Sequence, residues 1–105
     1  MANELTLDKY EEKVVNAKRP VLLDFWSEGC GPCATLAPVI EEIAKERTDI
    51  DVYSVNISQE PELANRLFVM AAPTLLVLVN GQIKKKSIGY KSKEHILEMI
   101  NVAIE

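Results

Sequence analysis

The chain has 105 residues, of which 48% are hydrophobic, which suits one compact domain with a single core and leaves no length for a second. We therefore expect one domain over residues 1–105. Sixteen acidic residues against twelve basic ones give a net charge of -4, which provides no general attraction to nucleic acid or to an anionic membrane surface. Neither partner is expected, and the charge favours a soluble monomer.

The N-terminal region carries no sign of export. Residues 1–16 mix charged and apolar side chains, and no apolar run approaches the roughly 18 residues that a membrane span needs. We therefore expect a cytoplasmic protein. Because ordinary thiols stay reduced in that compartment, the two cysteines are not expected to form a disulfide whose role is to stabilise the fold.

A helical stretch is predicted near the N-terminus, over about residues 8–17. Tyr10, Val14 and Val15 fall on one side of such a helix. Pro20 cannot continue it, so the helix ends before the first long apolar run.

A strand, a helix and a second strand follow. Residues 21–26 form a nearly unbroken apolar run, as expected for a strand that is buried on both faces. Residues 33–47 are predicted to be a helix, and residues 51–57 alternate as a strand does. The helix carries apolar residues at helical spacing, namely Leu36, Ile40, Ile43 and Ala44. This order implies a right-handed parallel crossover, and a short helix over residues 61–67 comes next.

The C-terminal part is predicted to be a hairpin and a last helix. Residues 74–79 and 82–88 are strand-like and are joined by Asn80-Gly81, a dipeptide preferred where both turn residues need positive φ. Ser92 can cap a final helix that runs to about residue 104. Together the elements predict an α/β fold in which helices flank both faces of a central mixed sheet.

The chemistry is concentrated in Cys30-Gly31-Pro32-Cys33, at the point where a buried strand gives way to a helix. At this spacing the two sulfurs can close a small ring, with Gly31 and Pro32 holding them in position, and the helix start directs free amides at Cys30. Lowering a thiol pKa from about 8.5 to about 7 needs about 2 kcal/mol, whereas a helix terminus supplies roughly 0.3 to 1 kcal/mol. A hydrogen bond from Cys33 must therefore help. We expect Cys30 to be exposed and Cys33 to be covered.

The expected reaction is thiol-disulfide exchange. The Cys30 thiolate attacks a substrate disulfide, and the Cys33 thiolate then resolves the mixed disulfide. Asp24 lies on the buried strand six residues before Cys30, where desolvation should raise its pKa and let it exchange a proton with Cys33. The alternative is a carboxylate turned to solvent at a strand end. We expect the Trp26 indole to pack on the cysteine helix, where it could also hydrogen-bond a carboxylate.

A metal site is the first alternative for the cysteine pair. Zinc needs about four ligands, and His95, alone at a charged helix start, is the only other candidate of the usual kind. We interpret His95 as a surface residue and expect no metal. A zinc ion bound between the cysteine pairs of two copies of the chain remains an alternative.

A non-catalytic binding module is the second alternative. It would hold a partner through the surface formed by Ala71, Ala72 and Pro73 together with Gly89 and Tyr90. Replacing both cysteines by serine separates the two functions, because reduction would vanish while a scaffold would keep its partner.

The sequence resembles the thioredoxin family over essentially its whole length. The matching segments occur in the family's order: Val21-Leu22-Leu23-Asp24-Phe25-Trp26, Cys30-Gly31-Pro32-Cys33, Ala72-Pro73-Thr74, Asn80-Gly81 and Ile88-Gly89. This set is more specific than a lone Cys-x-x-Cys. The Gly-Pro pair between the cysteines is similar to that of reductases, whereas isomerases and oxidants usually carry a histidine there.

The resemblance implies the thioredoxin fold, with Pro73 in the cis form facing the cysteine pair. The Ala72 backbone would then hold an extended substrate as an added strand. The resemblance further implies disulfide-containing target proteins and no bound cofactor. Reducing equivalents would come from a separate thioredoxin reductase, by default a flavin enzyme that uses NADPH, with a ferredoxin-linked reductase as the alternative.

Three positions depart from the family pattern. Gly29 stands where a tryptophan usually precedes the first cysteine, and Ala34 and Ser54 stand where lysines are often found. The missing tryptophan predicts looser or differently selective docking. The missing charges predict that Cys30 is less acidic, and the pKa of Asp24 more strongly raised, than in relatives with both lysines. Titrating both groups before and after restoring Lys at position 54 tests this prediction.

Overall fold

Five strands form one mixed sheet in the order β1-β3-β2-β4-β5 in a computed structural model that describes residues 3–105. The strands are β1 (Asn3–Glu4), β2 (Val21–Trp26), β3 (Asp51–Asn56), β4 (Thr74–Val79) and β5 (Gln82–Ile88). β3 runs parallel to both β1 and β2, whereas β4 is antiparallel to β2 and to β5. The predicted central mixed sheet is confirmed.

Helices cover the two faces of the sheet. They are α1 (Leu7–Tyr10), a π-helical turn (Glu11–Val15), α2 (Gly31–Glu46), α3 (Pro61–Arg66) and α4 (Lys93–Ala103). Successive side chains of a strand point to opposite faces, so Leu22 and Leu23 of β2 enter two different cores, one on each face of the sheet, where the sequence had predicted a single core. The Leu23 core includes residues of α3, and the Leu22 core lies under α2 and α4. Burial on both faces explains why β2 reads as a continuous apolar run.

The first helical stretch differs from its prediction. Its second half is a π-helical turn, in which the Asn16 N–H donates to the Glu11 carbonyl, five residues back, at 2.9 Å. Val14 is fully buried, but Val15 is 41% exposed. The prediction that Tyr10, Val14 and Val15 share one side therefore fails for Val15: adjacent helical residues point in directions roughly 100° apart, so Val15 turns away from the side that Val14 buries.

The cysteine helix begins earlier than the sequence predicted. α2 starts at Gly31 rather than near Cys33, and Cys30 is its N-cap residue. Pro32 lies in the first turn, where its missing N–H would have had no helical partner. The sulfur of Cys30 is consequently placed at the helix terminus itself.

The hairpin turn and the last helix match their predictions. Asn80 and Gly81 have φ values of 54° and 76°, and the Ser92 hydroxyl accepts a hydrogen bond from the His95 N–H at 3.2 Å. The strand β1 was not predicted, although it brings Glu4 into the sheet. Within residues 3–105, none of the helices has the length and apolar character to cross a membrane.

Candidate active site

The two cysteines lie just beyond the end of β2, at the start of α2. They are joined as a disulfide with their Cα atoms 5.3 Å apart. Cys33 is 6% exposed, whereas Cys30 is partly exposed. The covered position of Cys33 is as predicted, and Cys30 is the more exposed of the two cysteines.

The helix start makes direct contact with the Cys30 sulfur. The backbone N–H of Cys33 donates to Cys30 Sγ at 3.2 Å, and the Ala34 N–H donates to the Cys30 carbonyl at 3.2 Å. The main chain of Cys33 thus already contacts this sulfur in the disulfide state, and the hydrogen bond from Cys33 to the Cys30 thiolate stays a prediction. The same amide would stabilise negative charge on Cys30 after reduction.

Asp24 is a buried carboxyl group beneath this loop. It is 5% exposed, and its Oδ1 atom has no hydrogen-bond partner among the described residues. Burial, reinforced by the nearby charge of Glu4, raises the pKa of Asp24 from 3.8 to about 7. The alternative of a carboxylate turned to solvent was therefore wrong, and the predicted upward shift is confirmed.

Glu4 is the site residue that the sequence reasoning missed. Glu4 pairs with Ser54, and Ser54 pairs with Asp24, so the three side chains stand in a row on one face of adjacent strands. The Trp26 indole Nε1–H donates to Glu4 Oε2 at 3.3 Å, which confirms that this ring contacts a carboxylate. Desolvation raises the pKa of Glu4, and the Trp26 hydrogen bond opposes that rise.

A cavity of about 250 Å³ opens beside the disulfide. Its lining residues are Asp24, Trp26, Ser27, Glu28, Gly29, Cys30, Cys33 and Ala34. Gly29 has a φ of +75°, and a Cβ atom placed on it would meet nothing within 4 Å. The position where the resemblance implies an aromatic wall is therefore open, and it lies at the rim of a cavity that Asp24 also lines.

The Pro73 loop lies at the same end of the sheet. The Ala72–Pro73 peptide bond is cis, as the resemblance implied. β4 begins opposite Phe25, near the end of β2, and the Gly89 N–H donates to the Pro73 carbonyl at 2.8 Å. Two loops thus meet at the end of the sheet where β2 finishes and the cysteine segment begins.

Exposure varies along these loops: Ala71 and Tyr90 are open to solvent, Ala72 is partly exposed and Pro73 is buried. Ala71 is exposed, and its carbonyl accepts a hydrogen bond from the Thr74 hydroxyl at 2.7 Å. Tyr90, next to Gly89, is 46% exposed. The five residues proposed for a partner surface therefore do lie close to one another in the fold.

The family assignment rests on the whole chain. The family model described as Thioredoxin matches residues 1–102. The chain belongs to the thioredoxin family. It is 37% identical over 105 residues to the thioredoxin of Rickettsia felis, with 99% of this chain and 100% of the relative covered. It is 40% identical over 93 residues to that of Streptomyces clavuligerus, with 89% and 87% covered. The thioredoxin of Mycobacterium tuberculosis is 38% identical over 99 residues, with 93% and 85% covered.

The thioredoxin assignment and the Cys30–Cys33 disulfide together define the activity. The chain is a thiol-disulfide oxidoreductase that acts as a protein-disulfide reductase and redox carrier, and its own disulfide is the redox group. This outcome favours the catalytic interpretation over the non-catalytic module. Over residues 3–105, no three His, Cys, Asp or Glu side chains lie together where they could hold a metal ion, and His95 is exposed.

The row of Glu4, Ser54 and Asp24 gives this thioredoxin a testable electrostatic feature. We expect Glu4→Gln to lower the pKa of Asp24, because the substitution removes a negative charge that disfavours ionisation of Asp24. The measurement is an NMR titration of the Asp24 carboxyl carbon in the oxidised protein. The amide oxygen of Gln can still accept from the Trp26 indole, so unchanged tryptophan fluorescence serves as the control for local structure. An Asp24 midpoint that stays fixed or rises would contradict the coupling.

Proposed function

We propose that this thioredoxin reduces target proteins through two successive exchanges at Cys30 and Cys33. In the first, the Cys30 thiolate bonds to one sulfur of the target disulfide, and the other target sulfur leaves as a thiolate. In the second, the Cys33 thiolate bonds to Cys30 and the remaining target sulfur leaves. The target gains two electrons, and the thioredoxin dithiol becomes a disulfide. The observation that carries this assignment is the partly exposed Cys30 with Cys33 covered behind it.

Asp24 is proposed as the proton acceptor and donor for Cys33. Both residues line the same cavity, and burial raises the pKa of Asp24 to about 7. A carboxyl group with that pKa can accept the Cys33 proton at neutral pH, so Cys33 attacks as a thiolate. The proton can then pass to a departing target thiolate.

The target segment is proposed to lie in a groove formed by two loops. Ala71, Ala72 and cis Pro73 would form one wall, with Gly89 and Tyr90 on the other. The Gly89–Pro73 hydrogen bond supports this assignment because it holds the two loops together. An extended target chain can add to the Ala72 backbone as a strand. Gly31 and Pro32 would shape the approach to Cys30, since both are exposed in the first turn of α2.

The electron donor is proposed to be a flavin-dependent thioredoxin reductase that uses NADPH, with the thioredoxin acting as a cytoplasmic monomer. The test supplies the oxidised protein and insulin to either this reductase or a ferredoxin-linked one. We expect NADPH oxidation that depends on thioredoxin and is accompanied by insulin reduction. If only the ferredoxin-linked enzyme sustains insulin reduction, the proposed donor is rejected. If insulin is reduced with neither reductase, nor by thioredoxin that has been reduced chemically beforehand, the activity itself is rejected.

A further inference from the structure

The cavity beside the disulfide has the size of a site for one side chain. Its volume is about 250 Å³, below the roughly 300 to 1,000 Å³ that is typical of pockets for whole small molecules. Gly29 is one of its lining residues and adds no side chain to the wall, and nothing lies within 4 Å of the position of its missing Cβ. Its walls include Cys30, so a side chain placed in it would lie next to the sulfur that a target must reach.

The charge around this cavity has one sign. Asp24 and Glu28 line it, and none of the residues that form its wall is basic. The Asp24 Oδ1 atom is buried without a hydrogen-bond partner among the described residues. The Oδ1 atom itself is closed to solvent, so a ligand can reach only the part of the Asp24 side chain that lines the cavity. A donor with positive charge gains more at this largely buried carboxyl group than at an open surface.

We propose that the cavity receives the positively charged side chain of a lysine or arginine next to the reacting cysteine of a target protein. This inference rests on the disulfide exchange proposed above. The cationic head would donate to Asp24, and the aliphatic stem would pack against apolar parts of the wall such as Trp26 and Ala34. With no aromatic side chain at position 29, the cavity stays available, and we expect target proteins with basic residues around the reacting cysteine to be preferred.

The direct test uses two disulfide peptides that differ only in Lys or Gln next to the reacting cysteine. Second-order rate constants are measured with the reduced thioredoxin and divided by those with dithiothreitol, which corrects for the reactivity of each peptide. We expect the Lys peptide to be about fivefold faster, which corresponds to about 1 kcal/mol. The ratio should rise with pH as Asp24, whose pKa is raised by burial, loses its proton, whereas the titration of the Cys30 thiol cancels in the ratio.

Two substitutions of the exposed Ala34 distinguish the effect of positive charge at the cavity from the effect of filling it. Ala34→Lys places a cation at the cavity wall, and Ala34→Gln adds a neutral side chain at the same point; both residues are good helix formers. We expect the Lys-to-Gln peptide ratio to fall to about one in Ala34→Lys and to persist in Ala34→Gln. Equal loss in both variants would overturn the charge argument.

A remote substitution controls for net charge. Glu105→Gln also makes the chain more positive by one, but Glu105 follows α4, whose end meets the far end of α2 through the Arg47–Asn101 hydrogen bond at 2.9 Å. We expect this variant to keep the peptide ratio. A ratio of one in the unmodified protein, or equal loss in Glu105→Gln and Ala34→Lys, overturns the cavity site. Failure to reduce either peptide would instead reject the proposed function.

Discussion

Replacing Cys33 by Ser is expected to stop turnover and to leave the target bonded to Cys30. The first exchange needs only the partly exposed Cys30, whose sulfur still lies at the start of α2. The second exchange needs a thiolate next to the mixed disulfide, and Cys33, covered behind Cys30, is the group that supplies it when NADPH and a reductase are the only reductants. The mixed disulfide should therefore accumulate, and multiple-turnover reduction of insulin should fall to the rate seen without the protein. Non-reducing mass spectrometry detects the adduct as the sum of the two masses.

The matched variant Cys30→Ser separates the two thiols. It keeps Cys33 but removes the accessible sulfur, so we expect neither turnover nor an adduct. Serine is close in size to cysteine and disturbs the first turn of α2 little. An adduct in Cys30→Ser, or sustained turnover in Cys33→Ser, would reverse the proposed roles. Both variants have lost the disulfide, so each is the structural control for the other.

The sequence was sufficient for the parts of the site that lie close together along the chain. The run at residues 21–26 predicts a doubly buried strand, and Cys30 follows it at the start of a helix. Because the apolar neighbours of Asp24 occupy both faces of that strand, its carboxyl group is buried whichever face it points to. The same local reasoning correctly placed the turn at Asn80-Gly81.

The missed features depend on contacts between distant segments. Glu4 joins the site only because β1 pairs with β3 in a register that sets Glu4 opposite Ser54. A two-residue strand has too few residues to show an alternating pattern, so its pairing could not be predicted. The cavity was also missed. Gly29 was recognised as a lost aromatic residue, but only the packing shows that no neighbouring side chain fills the space.

Asp24→Asn is expected to stabilise the oxidised protein strongly at alkaline pH. The pKa of Asp24 is raised from 3.8 to about 7, so the folded state holds this proton more tightly than the unfolded state. Stability therefore falls as pH rises from about 4 to about 7, and the full cost of about 4 kcal/mol remains at higher pH. Asparagine carries no charge at any of these values. The substitution should give little gain near pH 4 and up to about 4 kcal/mol at pH 9.

Urea unfolding of the oxidised protein at pH 4, 7 and 9 measures this difference. The oxidised state is used because the disulfide removes the titration of the thiols from the comparison. Glu98→Gln is the matched control, since Glu98 is an exposed carboxylate on α4, and its effect should be small at each pH. A gain in the free energy of unfolding of Asp24→Asn that does not grow with pH would contradict the prediction. It would show that Asp24 stays protonated in the folded protein, or that another interaction offsets the cost of its charge.

The same Asp24→Asn variant should be the slower enzyme. Without a proton acceptor beside Cys33, attack on the mixed disulfide depends on the rare spontaneous ionisation of a covered thiol. Loss of a general base typically costs about 100-fold or more, so we expect the mixed disulfide to persist correspondingly longer near pH 7, while its formation through Cys30 changes little. Stopped-flow reduction of a peptide disulfide resolves the two steps. A stabilised variant that resolves the mixed disulfide as fast as the unmodified protein would mean that the buried carboxyl group weakens the fold without serving proton transfer.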